Sequence, residues 1–418
     1  MEMKKTLLLL LAAALALGLM LTGCKKEEAA IAPVKIGVLV PLTGPLAEFG
    51  QGFRLACDLA SEQLGEAGIQ VDLKYADTET AAIPGVEAAR TLVNVEKVVA
   101  LIGAAASGVT IPVAESVSIP NEIPQISNAS TSPLITYLPA DEGKDFLFRT
   151  VPSDALQGVV LGKLAAEAGY KTAAVFYVNN PYGQGLLDEF KASFEAEGGK
   201  VVAAVPHDEK PAPTYVSELR QIMQSKPEVM LALSYPGQAT VYLKEFFEAG
   251  YNKTTDLLFC DGTKSVEMPE ALGAKNLAGF LGTAPGSVSG DSLTNFERDY
   301  KDKYGELPPL PYMTNIYDGV VIAALAAALA QDEDKPVNGV NVRDNLRRVS
   351  NPPGQVAVAG VDGLKKALQL LKDGKDINYE GAAGAEDFDK NGDTVTPIEV
   401  WSYVENEPYI ETVRFETP

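Results

Sequence analysis

Histidine is nearly missing from this 418-residue chain: His207 is the only one. A Ser–His–Asp triad or a multi-histidine metal centre would have to be built on that single ring, so neither is expected, and no metal or cofactor is expected either. Cysteine is also scarce. Cys24, Cys57 and Cys260 are too few for a disulfide-dense scaffold. Positive charge is in deficit, with 35 Lys and Arg against 56 Asp and Glu and a net charge of -21. Such a surface repels phosphates, which argues against nucleic-acid partners. The sequence has no P-loop, no G-x-S-x-G and no H-E-x-x-H. Catalysis would be left to carboxylates alone, and the reading is therefore not an enzyme. Beyond residue 30 the longest apolar run is the twelve residues 319–330 (GVVIAALAAALA). That is short of the ~20 that span a bilayer and suits a buried core helix.

The rest is an ordinary globular mix, 46% apolar and 22% charged, long enough for two or three folded units. The first residues form an address. Lys4 and Lys5 precede fifteen Leu, Ala, Gly and Met residues at 7–21, followed by Leu21-Thr22-Gly23-Cys24. The run suits an export signal better than a membrane span. Its end resembles the bacterial lipoprotein cleavage box. That resemblance implies a signal peptide at 1–23, a diacylated Cys24 and a flexible tether at 24–33, with the protein held on a membrane outside the cytoplasm. An uncleaved anchor helix is the alternative. Cys57 and Cys260 would then face an oxidising compartment. One lies in the first expected helix and the other at a strand end about 200 residues later, and both are expected to be buried free thiols.

From residue 34 onward strands and helices alternate. Expected strands lie at 34–40, 69–75, 98–102, 124–127 and 146–149, with helices at 50–64, 83–95 and 111–117 between them. The pattern restarts with strands at 173–178, 200–205, 229–233 and 257–260, separated by helices at 155–168, 185–197, 215–224 and 240–249. A strand at 279–283, helices at 292–304, 315–330, 341–349 and 364–371, and a strand at 399–404 complete the chain. Such alternation implies mostly parallel sheets flanked by helices. The expected fold is α/β with two lobes: 34–150 with 284–395, and 151–283 with 396–418. Three crossings, near 149–152, 283–286 and 396–400, would make a hinge that restricts motion to opening and closing. Ligands of open parallel sheets sit at the carboxyl ends of the strands, which places the site between the lobes.

The loop at 41–50 (PLTGPLAEFG) has two glycines and two prolines but no phosphate-loop spacing. With the strand before it, it closely resembles the opening of the leucine/isoleucine/valine-type substrate-binding proteins of ABC importers, which have a type I periplasmic binding protein fold. The resemblance continues over about residues 34–404. Gly103–Ser107 (GAAAS) resembles that family's segment in which a serine contacts the ligand carboxylate, which points to Ser107. A plain helix cap is the other reading of this serine. Residues 126–136 (ISNASTSPLIT) resemble the next ligand loop, in which a backbone carbonyl and a threonine hydroxyl meet the amino and carboxylate groups. By position these are Ala129 and Thr131, with Ser130 beside them.

Residues 179–185 (NNPYGQG) resemble the turn whose tyrosine reaches in from the second lobe, here Tyr182. Tyr235 follows a strand where the family often has a tyrosine facing the ligand. Asp261 lies where the family pairs an acid with the ligand ammonium; otherwise it is a turn aspartate before Gly262. Phe49 matches an aromatic lining position. In 312–324 (YMTNIYDGVVIAA), Tyr317 and Asp318 are expected to be structural, and Tyr312 to approach the cleft. Residues 387–393 (DFDKNGD) match half of a calcium loop but lack its Glu at position twelve, and are expected to be a turn.

The resemblance implies a monomeric, lipid-anchored protein that captures a small amino acid, branched-chain or aliphatic, by hinge closure and presents it to an ABC permease. The alternatives are a sensory lipoprotein that docks on a receptor, or a binder of amides or aromatic acids.

Overall fold

The computed structural model describes residues 32–307 and 310–417. Cys24 and the proposed signal peptide lie outside them. Strands β1 (Val34–Val40), β2 (Val71–Asp77), β3 (Ala100–Ile102), β4 (Gln125–Ser127) and β5 (Leu147–Arg149) form one sheet in the order β2-β1-β3-β4-β5. Every pairing in it is parallel. β1 reads VKIGVLV because it is covered on both faces, and all of it except Lys35 is buried.

The second sheet begins with β6 (Thr172–Val178), β7 (Lys200–His207), β8 (Val229–Leu233), β9 (Asp256–Phe259) and β10 (Leu281–Pro285). A small parallel pair follows, β11 (Gln355–Val358) and β12 (Ile377–Glu380). The chain then returns to the second sheet with β13 (Ile398–Tyr403) and β14 (Ile410–Glu416), both antiparallel, giving the order β14-β13-β10-β9-β8-β6-β7.

The helix Met313–Asp332 is long and apolar enough to cross a membrane, yet every residue from Met313 to Ala330 is buried. It packs against helix Ala47–Ala67 and against β1, β3 and β4. It is the core of the first lobe.

Several elements depart from the sequence expectation, each for a local reason. The helix expected from 185 starts at Pro181, because the Asn180 side chain accepts the Gly183 amide at 2.9 Å and proline suits the first turn. Tyr182 therefore sits on the helix rather than on a turn before it. The helix expected from 240 likewise starts at Pro236. The pair β11–β12 is only four residues per strand, too short for a clear signal, and the edge strand β14 (IETVRFE) is mostly exposed and is held by its pairing with β13. Cys57 and Cys260 are buried free thiols, and burial pushes the Cys260 thiol up to about 12.

The 387–393 segment is a turn that uses its carboxylates internally. Asp389 accepts the amides of Asn391 at 2.7 Å and Asp393 at 3.0 Å. Asp393 in turn holds the buried Arg149 guanidinium through two bonds, at 2.7 and 2.9 Å.

Candidate functional site between the lobes

Strand order reverses between β1 and β3 in the first sheet and between β6 and β8 in the second. Loops leaving the strand ends diverge at such points and open a crevice. The two crevices face each other and enclose one small cavity. About 30 Å³ of it is open to the centre of a water-sized sphere, where ~10–15 Å³ admits one water. The jaws are nearly shut.

The first lobe contributes Phe49 and Phe53 after β1, Ser107 after β3 and Ala129 after β4, together with Tyr312. The second contributes Tyr182 after β6, Tyr235 after β8, and Asp261 with Gly262 after β9. Six of the eight cleft candidates from the sequence thus meet at one cavity. Ser130 and Thr131 are not part of its wall. The Ser130 hydroxyl is turned into the first lobe, within 3.0 Å of the Ala105 carbonyl and 3.1 Å of the Ala104 carbonyl. The Thr131 hydroxyl donates to the Asp154 carboxylate at 2.8 Å.

Glycines allow the close approaches. A Cβ on Gly183 would lie 1.9 Å from the Val178 carbonyl oxygen, so only glycine permits the tight passage from β6 into the Tyr182 helix. A Cβ on Gly262 would lie 2.4 Å from the Ser234 carbonyl oxygen and 2.9 Å from the Tyr182 hydroxyl.

Asp261 is the electrostatic centre. It is 3% exposed, and it accepts three bonds: from Tyr182 at 2.8 Å, from Gln157 at 2.8 Å and from Tyr312 at 2.5 Å. Burial raises its carboxyl above the usual range, and those three donors oppose the rise. No Lys or Arg among the described residues bonds to it. Lys264, three residues on, is spent on Glu399, and Arg149 on Asp393. A buried carboxylate without a cation is costly.

Tyr312 reaches Asp261 from the opposite lobe by adopting φ +74°, a left-handed conformation rare outside glycine. Burial and the charge of Asp261 push the Tyr182 and Tyr312 hydroxyls well up, so both remain donors. Tyr182 and Tyr235 stack with centroids 5.7 Å apart and planes 11° apart, forming a flat aromatic wall.

Ser107 is the first residue of its helix rather than the cap. Its oxygen accepts the Ser132 amide at 3.2 Å, which leaves its proton free to donate toward the cavity. The ligand loop is fixed from behind by Arg149, which donates to the carbonyls of Ser130 at 3.2 Å and Ser132 at 3.1 Å.

Two further contacts close the jaws. The Ser132 hydroxyl donates to the Pro181 carbonyl at 2.8 Å. The Glu48 carboxylate accepts the Ser265 hydroxyl at 2.5 Å and the Val266 amide at 2.7 Å. His207 takes no part in the cavity wall. It bonds Ser234 and the Asp208 carbonyl, and burial lowers its pKa, keeping the ring neutral.

Sequence reasoning missed Asp154, Gln157 and Arg149. Their signal was weak: S-D-A-L-Q-G reads as a capped helix start, and only the fold brings that start under the ligand loop.

Two lobes with facing strand ends and a shared, water-sized cleft are the architecture of a solute-binding protein. Residues 33–367 match the periplasmic binding protein family, and the chain belongs to it. Among similar proteins, the chemotactic signal transduction system substrate-binding protein BasB of Halobacterium salinarum is 27% identical, covering 85% of this chain and 83% of its own. Leu/Ile/Val-binding protein homolog 3 of Brucella melitensis is 26% identical, covering 88% of this chain and 91% of its own.

Among solved structures, the leucine-binding protein LivK of Thermotoga maritima superposes with a TM-score of 0.75 at 23% identity, over 92% of this chain and 99% of that one. LivJ of Streptococcus pneumoniae with isoleucine gives 0.72 at 19%, over 92% and 99%. A Rhodopseudomonas palustris solute-binding protein with benzoate gives 0.71 at 20%, over 92% and 97%. The chain has the two-domain type I fold and is a substrate-binding protein of the ABC-transporter type, from an extracytoplasmic family.

Proposed function

We propose that this protein captures a small α-amino acid with an apolar side chain between its lobes and delivers it unchanged to a membrane permease. One observation carries the reading. Asp261 is buried at the cavity with three neutral donors and no cation, and Ser107, with an uncommitted hydroxyl proton, stands on the facing lobe. An ammonium would supply the missing charge at Asp261. A carboxylate would take the Ser107 proton, and the Ala129 segment would face the amine. Phe49, Phe53 and the Tyr182–Tyr235 stack would receive an aliphatic side chain. Closure strips water from these contacts and strengthens them. A micromolar Kd needs about -8 kcal/mol, which a clamped zwitterion with an apolar pocket supplies.

The same reading has Cys24 lipid-anchored, the mature chain monomeric, and the hinge at the three crossings. Titration of the purified protein with the twenty L-amino acids and with benzoate tests it. Binding of one or a few aliphatic amino acids supports it. Binding of benzoate alone sinks it. The similarity to a chemotactic binding protein favours one second reading, in which the closed form docks on a receptor. Uptake by a deletion strain separates the two, since only the transport role abolishes it.

A further inference from the structure

We infer that Gly185 and Gly237 are closure seats: bare helix positions of the second lobe against which two prolines of the first lobe come to rest, so that the cleft shuts fully only because no side chain stands there. The inference goes beyond the amino-acid reading and does not depend on which solute binds.

Both glycines lie on helices next to the aromatic wall. Gly185 is three residues after Tyr182 in the helix Pro181–Ala196, and Gly237 is two residues after Tyr235 in the helix Pro236–Glu248. Neither has a positive φ, and both are half-buried. Alanine would suit such a backbone and would favour each helix, so the missing methyl has no local reason. A Cβ on Gly185 would lie 2.7 Å from the Pro133 Cδ and 3.4 Å from the Ser132 Oγ. One on Gly237 would lie 3.1 Å from the Pro45 Cα and 3.4 Å from the Pro45 Cβ. All four atoms belong to the first lobe, on the loops after β4 and β1.

Proline makes the seats unyielding. Its ring cannot swing aside as a flexible side chain does, and relieving an overlap with the Pro45 Cα means moving backbone. Each seat also carries a hydrogen bond across the cleft. The Gly237 amide donates to the Pro45 carbonyl at 3.3 Å, and Ser132, next to Pro133, donates to the Pro181 carbonyl at 2.8 Å. Gly108 of the first lobe is the contrast. Its Cβ would lie 2.6 Å from the Glu209 Oε1 of the second lobe, the far end of a side chain that can turn away. Closure is therefore hard at two points of the rim and soft at a third.

Cross-linking reads closure directly. Glu48→Cys and Ser265→Cys replace two side chains in contact across the shut cleft. They are joined by a short bis-maleimide in a Cys24→Ser background, where Cys57 and Cys260 are buried. Gly185→Ala should slow the cross-linking about fivefold or more, and Gly237→Ala, with the milder overlap, about two- to threefold. Adding Pro133→Ala to Gly185→Ala should bring the rate back to within about twofold of the parent, because the clashing ring is gone. The melting temperature of unliganded Gly185→Ala should equal or exceed that of the parent, since opening relieves the overlap and alanine favours the helix. Gly162→Ala is the control. Its Cβ would lie 2.5 Å from the Ser193 Cβ inside the second lobe, so it should lower the melting temperature and leave the cross-linking rate near that of the parent. An unchanged rate in Gly185→Ala, no rescue by Pro133→Ala, equal slowing in Gly162→Ala, or a parent that does not cross-link each overturns the assignment. So does a melting temperature of Gly185→Ala several degrees below the parent, which would make the glycine part of its own lobe's packing. If no amino acid binds, the amino-acid reading falls and cross-linking still decides the seats.

Discussion

Among the described residues, two pairs of buried carboxyl groups stand in different surroundings. Asp318 lies on the central helix of the first lobe. It accepts the Ala382 and Ala383 amides and the Tyr379 hydroxyl, each at 2.8 Å. Glu386 lies beside it, and neither of its carboxyl oxygens has a hydrogen-bond partner. Burial pushes Asp318 up to about 7 and Glu386 well above its usual range. The space is full: a Cβ on Gly381 would lie 2.5 Å from the Asp318 carboxylate. Asp261 also accepts three bonds, but from side chains, one of them Tyr312 of the opposite lobe. Asp154, its partner in charge, keeps one oxygen unpaired. Fixed backbone donors and a filled space make a carboxyl pair part of the framework. Side-chain donors, one of them from the opposite lobe, and an adjoining cavity make one a receptor for charge. Burial and a raised pKa alone do not tell the two apart.

The largest effect should come from breaking the framework pair. Asp318→Ala orphans two amides and a buried acid and should cost about 3–5 kcal/mol of stability, read as a lower midpoint in chemical denaturation. Ligand affinity of the folded fraction should be unchanged. Asp261→Asn should do the reverse, costing the amino acid about a hundredfold in Kd, or about 2.7 kcal/mol, with a melting temperature near that of the wild type. Were both variants to lose stability and affinity together, the distinction between the pairs would collapse.

Glu386→Gln sharpens the contrast through pH. The folded state holds protons at Asp318 and Glu386 that the unfolded chain releases above pH ~4. Stability therefore falls as pH rises from about 4 to 7. Glutamine cannot titrate, so the slope should be shallower by up to one proton, about 1.4 kcal/mol per pH unit. Melting temperatures of both proteins across that range check it. An unchanged slope would mean that Glu386 does not titrate over that range.

Tyr312→Phe removes one donor from Asp261 and one contact across the cleft. It should weaken binding about five- to tenfold by calorimetry, in line with ~1 kcal/mol for one hydrogen bond. The smallest effect belongs to Glu48→Gln, which is outside the cavity wall but on the closing contact with Ser265 and Val266. It should weaken binding about two- to fourfold, with small-angle scattering of the unliganded protein shifted toward an open form.

The framework was largely legible in the sequence, because strands such as VKIGVLV and the buried run at 319–330 have unmistakable apolar patterns. The family resemblance of the loops after strand ends pointed to Ser107, Ala129, Tyr182, Tyr235 and Asp261. Polarity of individual hydroxyls was not legible. Whether Thr131 donates or accepts depends on Asp154, which is 23 residues away in the chain and adjacent only after folding. Tyr312 depends on a left-handed backbone that no local residue type signals. The polar strand β14 lacks an apolar face and exists through its neighbour.

The most direct test is a crystal structure of the protein with its tightest-binding amino acid. The account predicts closed lobes with the ammonium nitrogen within ~3.2 Å of Asp261 and the carboxylate on the Ser107 side. A ligand bound outside this cleft, or one whose carboxylate faces Asp261, would contradict it.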